Sequence, residues 1–102
     1  MLQITNLNQF KTFLSQNVGK EVFLNNHFYP ERTRNTKILH VQSNSFCFKS
    51  QKETEPETNI YNHAWTEFNA AKTWIFEPTD QGFNATKTNP DGTRAFSFIF
   101  KN

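Results

Sequence analysis

The strongest constraint on this chain is its phenylalanine. Twelve of 102 residues are Phe, while hydrophobic residues of all kinds reach only 35%. A disordered chain is poor in aromatics, so this one folds despite its polar average. The spacing of the rings says how. Phe96, Phe98 and Phe100 alternate with Ala95, Ser97 and Ile99, which is the period of a strand with one buried face. A second arm, Phe83 to Lys87, precedes it. Asn89-Pro90-Asp91-Gly92 joins the two as a turn, with Pro pre-set for the first corner and Gly supplying a positive φ.

A second hairpin is predicted over residues 36–49. With Ser43 and Asn44 as its turn, Val41 faces Phe46, His40 faces Cys47 and Leu39 faces Phe48. That register places Leu39, Val41, Phe46 and Phe48 on one apolar face, and Ile38, His40, Cys47 and Lys49 on the other. Val22, Phe23 and Leu24 form a further short strand. Residues 6–17 read as a helix. Asn6 caps it, Gln9 reaches back, and Leu7, Phe10, Phe13, Leu14 and Val18 form its apolar stripe up to Gly19. Residues 50–59, SQKETEPETN, hold no large apolar side chain and read as a solvated loop. In WTEFNAAKTWIF a turn is expected over 66–72 and a strand over 73–77, with Trp65 and Trp74 filling the core.

These elements make one α+β domain spanning residues 1–102. It has one N-terminal helix packed on a curved antiparallel sheet of five or six strands, with an SH3-like, partly open barrel as one closure. Burying about eight aromatics at roughly 2–3 kcal/mol each offsets much of the chain entropy of so small a domain. One Cys allows no intrachain disulfide. No apolar run approaches the roughly 20 residues that span a bilayer. The opening MLQITNLNQFK lacks the pattern of a secretory signal, so a cytoplasmic protein with no membrane partner is expected.

Charge is unevenly placed. Residues 1–51 carry six Lys or Arg against two Glu, and residues 52–102 carry five against seven acids. The basic half suits an anionic partner, while the acidic half argues against a general nucleic-acid coat. The net +2 also excludes a mimic of DNA. Chemistry has few footholds. His40 opposite Cys47 is the one spacing that could activate a nucleophile, but SFCFKS is an ordinary strand without the signature of a cysteine enzyme. His27, His40 and His63 are scattered, and a zinc site from His40, Cys47 and His63 has no supporting motif. Phosphate-cradling glycines are absent. No enzyme, metal or cofactor is expected.

Binding is the better expectation. Phe28, Tyr29, Arg32, Arg34 and Lys37 combine aromatics with cations. Such a group can stack on bases and meet phosphates, or form a protein–protein hot spot. The acidic loop Glu53–Glu57 is a second candidate contact. The stretches GKEVFLNN, R-x-R-x-x-K-I-L-H-V-Q-S-N-S-F, A-W-T-E-F-x-x-A and G-F-x-x-x-K, spread over residues 19–87, resemble small uncharacterised proteins of phages and mobile elements. The resemblance implies a non-enzymatic protein that occludes a host protein or ribonucleoprotein, such as an inhibitor of host defence of the anti-CRISPR kind. The alternative is a module that binds single-stranded nucleic acid or a nucleotide.

Overall fold

A computed structural model describes residues 4–49, 63–68 and 74–101. Helix α1 (Leu7–Gln16) is followed by strand β1 (Glu21–Asn26), a 3-10 turn (Pro30–Arg32), β2 (Arg34–Val41) and β3 (Ser45–Lys49). Then come β4 (His63–Glu67), β5 (Trp74–Pro78), β6 (Gly82–Thr88) and β7 (Arg94–Lys101). The strands form one antiparallel sheet in the order β4-β3-β2-β1-β7-β6-β5. The sheet curls into a half-barrel, so the α+β class stands, with seven strands where five or six are predicted. The glutamate-rich loop, including Glu53–Glu57, lies outside the described residues, as does most of the turn expected over 66–72.

The additional strand is β4. It pairs with β3 along its length, placing Thr66 opposite Phe46, Trp65 opposite Cys47 and Ala64 opposite Phe48. Phe68, just beyond it, is buried. The strand includes residues 66 and 67, so pairing with the aromatic strand β3 takes the first two positions of the turn expected over 66–72. It also turns Trp65 outward. Trp65 is 49% exposed instead of filling the core, whereas Trp74 packs against it.

Helix α1 forms close to its predicted limits. The Asn6 side chain accepts the Gln9 amide at 2.9 Å. Gln9 reaches back one residue further than a capping box requires, its Oε1 accepting the Thr5 amide at 2.7 Å. Phe10 and Leu14 are fully buried, with Leu7 and Phe13 packed beside them. Val18 is the exception. It lies beyond the last helical turn and is 47% exposed.

The β2–β3 hairpin keeps the predicted pairs Val41↔Phe46 and His40↔Cys47, and then shifts, so that Ile38 instead of Leu39 pairs with Phe48. The cause is parity. Strand β1 turns Val22 and Leu24 inward, and Val22 pairs with Thr36, so the even positions of β2 face the core. Strand β3 requires Val41, an odd position, to face the core with Phe46. An irregularity at Leu39 reconciles the two. Ile38 therefore joins the core at 1% exposure, against the predicted face assignment.

The β6–β7 hairpin forms as expected, with Gly92 at φ +87° and the Gly92 amide donating to the Asn89 carbonyl at 2.9 Å. Gly82 starts β6 where a Cβ would collide with the Phe100 carbonyl oxygen of β7. The curl brings the sheet's two ends together at one carbonyl. The Trp74 Nε1–H donates to Glu67 O at 3.0 Å, and Lys87 Nζ donates to the same oxygen at 2.6 Å. Inside the curl, the Phe10 ring meets those of Phe46, Phe68, Trp74, Phe76, Phe83 and Phe100 at 5.1–6.3 Å between centroids.

Two outcomes follow from this packing. Phe10→Ala loses about 3–5 kcal/mol of unfolding free energy in chemical denaturation, the range for truncating a buried Phe. Asp91 Oδ1 accepts the Thr93 amide at 2.9 Å and the Thr93 hydroxyl at 2.6 Å, and these bonds hold the Asp91 carboxyl below its ordinary range. The contribution is present above the unfolded carboxyl pKa and is lost as pH falls through the lower folded one. An NMR titration therefore finds Asp91 below the usual Asp value, and Thr93→Val raises it.

Candidate functional site

The candidate site grows from the connection between β1 and β2. At the end of β1, Asn26 Oδ1 accepts the amides of Phe28 at 3.1 Å and Tyr29 at 2.7 Å. This side-chain turn rotates both aromatic residues out of the sheet. Pro30 begins a short 3-10 turn, with the Arg32 amide on Tyr29 O at 2.8 Å and the Thr33 amide on Pro30 O at 3.1 Å. The loop is also tied to its surroundings. The His27 amide donates to Ala95 O of β7 at 3.0 Å, and the Asn26 amide to Thr33 Oγ1 at 3.1 Å.

The tied loop holds its side chains in contact. The Phe28 and Tyr29 rings meet edge to face at 4.8 Å, and the Arg32 guanidinium lies 4.6 Å above the Tyr29 ring. Phe28 is 66% exposed and Tyr29 44%. Beside them a cleft of about 340 Å³ is lined by Asn26, Phe28, Tyr29, Arg32, Asn89, Ala95 and Phe96. None of the described residues that line it is acidic.

Three of the five sequence-predicted site residues, Phe28, Tyr29 and Arg32, meet here. Arg34 and Lys37 do not line the cleft. Arg34 Nη1 donates to Arg32 O at 2.7 Å and Nη2 to Lys49 O at 2.9 Å, while its buried Nε has no hydrogen-bond partner. Burial, and then the neighbouring charge of Arg32, lower the Arg34 pKa. Lys37 sits within β2 opposite Glu21. Asn26, Asn89, Ala95 and Phe96 belong to the cleft without having been anticipated. Asn89 carries a turn signal and Phe96 a core signal, and only the pairing of β1 with β7 brings both beside Phe28.

The other candidates for chemistry are closed. Cys47 stands opposite His40 and is fully buried. Burial pushes its thiol pKa up, against the opposing hydrogen bond from the His40 backbone. The His40 and Trp65 rings stack nearly parallel, 6.4 Å apart and 10° between planes, from the two strands that flank Cys47. Among the described residues no three His, Cys, Asp or Glu gather as a metal site. A serine–histidine contact that the sequence does not signal joins Ser97 Oγ to His27 Nε2 at 2.8 Å. The same Oγ lies 2.8 Å from Thr86 Oγ1, and Ser97 is only 5% exposed. Its hydroxyl lies between the buried Thr86 and the exposed His27.

No helix among the described residues is long and apolar enough to cross a membrane. The sequence matches no family model, and neither a curated protein nor a solved structure matches the chain. The shielding of Cys47 has a direct consequence. Iodoacetamide labels native Cys47 far more slowly than the denatured chain, and Trp65→Ala speeds native labelling. Equal native and denatured rates would contradict the burial.

Proposed function

We propose that this chain is a non-enzymatic, cytoplasmic binding protein. It acts by occluding a host protein or ribonucleoprotein, in the manner of a phage- or mobile-element-encoded inhibitor of host defence such as an anti-CRISPR. The observation that carries this reading is the exposed corner of Phe28, Tyr29 and Arg32. Two large rings stand largely in solvent, at 66% and 44% exposure, on a loop whose backbone is held by its own hydrogen bonds. Exposed rings add far less to stability than buried ones, while Tyr and Arg are the residue types that dominate binding interfaces. The loop is already ordered, so a partner meets side chains whose entropy is partly spent.

The test compares capture by the wild-type chain with capture by a Phe28→Ala, Arg32→Ala double variant. Both exposed positions can be changed without opening the core. The expected result is a specific host component retained by wild type, at least about tenfold less of it retained by the variant, and unchanged melting of the variant. The retained component also loses its own activity when wild type is added. Equal retention by the two proteins removes the corner from the proposed contact.

A further inference from the structure

We infer that the cleft beside Tyr29 seats one nucleotide of a single-stranded nucleic acid, with its base among the rings and its phosphodiester at Arg32. This rests on the corner being the contact site, and adds the chemistry of what the corner contacts. Shape is the first argument. A protein hot spot needs only a patch, but this is a concavity of about 340 Å³, within the range of roughly 300–1,000 Å³ typical of small-ligand sites. Its walls carry three rings, Phe28, Tyr29 and Phe96. Every base offers a π face to such walls, whatever its identity.

The polar groups provide the second argument. Asn26 comes from the end of β1 and Asn89 from the turn between β6 and β7, so two amides reach one cleft from different parts of the chain. Asn26 uses its oxygen on the Phe28 and Tyr29 amides, which leaves its NH₂ group as the donor. Asn89 uses its NH₂ on Thr93 Oγ1 at 3.0 Å, which leaves its oxygen as the acceptor. A donor and an acceptor around an aromatic slot complement the edge of a base.

Charge selects a strand over a free nucleotide. Among the described residues of the lining Arg32 is the one cation, and none is a carboxylate. A phosphodiester brings one negative charge, whereas a terminal phosphate brings about 1.5–2 at neutral pH. The neighbouring Arg34, whose Nη1 and Nη2 donate to carbonyl oxygens, adds positive potential behind Arg32. A carboxylate on a protein could satisfy Arg32 too, but it leaves the ring-lined slot without a planar occupant.

The experiment is fluorescence anisotropy of the full chain with a fluorescein-labelled, mixed-sequence single-stranded RNA octamer and its DNA counterpart, at 50 and 200 mM salt. Saturable binding of either is expected. Phe28→Ala and Arg32→Ala each weaken it about tenfold, while Ile75→Ala, on an exposed part of β5, leaves it unchanged. One neutralised phosphate predicts a loss of only about threefold between the two salts. Absence of binding at 50 mM, indifference to both cleft variants, a loss near a hundredfold with salt, or equally tight binding of 5′-AMP would each overturn the inference. Repeating the host capture after nuclease treatment separates this failure from failure of the corner itself. Capture that needs Phe28 and Arg32 but survives nuclease, with no octamer binding, overturns the nucleotide and leaves the corner as a protein contact. If the variants alter neither assay, both readings fall.

Discussion

The whole structure depends on one ring being enclosed by many. Helix α1 sets Phe10 into the curl of the sheet, fully buried, in contact with rings from β3, β5, β6 and β7 and with Phe68. Its planes stand nearly perpendicular to Phe46, Phe68 and Phe83. That edge-to-face arrangement suits the quadrupoles of packed rings and fills a curved space without requiring flat stacking. A flat sheet could not bring β3 and β5 to the same side chain, since four strands lie between them in the sheet order. Curl and plug therefore need each other. Trp74 and Lys87, both donating to the Glu67 carbonyl, hold the two ends of the sheet at the distance the plug sets.

The cleft inherits its rigidity from this core. Its Phe96 wall contacts Phe98 at 5.5 Å, Phe48 at 6.0 Å and Trp74 at 6.3 Å. The opposite rim is a loop, but one whose amides at Asn26, His27, Phe28, Tyr29, Arg32 and Thr33 all have acceptors within the protein. Satisfied backbone leaves little reason for the loop to rearrange. Exposed rings on such a support are presented in a fixed arrangement, which favours recognition over general adhesion.

What could be read in the sequence was whatever depends on local chemistry. The cap at Asn6, the stripe through Phe10 and Leu14, the turn ending at Gly92 and the outward position of Phe28 and Tyr29 all follow from neighbours within a few residues. What could not be read depends on demands from two partners at once. Position 38 faces inward because β1 and β3 impose opposite parity on β2, and neither strand alone reveals the conflict. Residues 63–67 form a strand because β3 has a second edge to pair, which their own spacing does not announce. The cleft is the same kind of case. Phe28, Tyr29 and Arg32 were legible as an aromatic and basic group, while Asn89 and Phe96 enter only because β7 crosses over to β1. Arg34 shared the local signal but is drawn away to the carbonyls of Arg32 and Lys49.

The distribution of reactive groups is the final step. The thiol of Cys47 and the hydroxyls of Ser97 and Thr86 are buried, and the two hydroxyls are directed at each other. Nucleophilic catalysis needs the opposite, a group that a substrate can reach beside a base and an oxyanion site. The side chains left facing the cleft are rings, amides and a guanidinium, none of which forms or breaks bonds at neutral pH without help. They do supply stacking, directional hydrogen bonding and one positive charge. Presented on a loop whose backbone is tied by its own hydrogen bonds, those three properties are the ones the proposed binding role calls on.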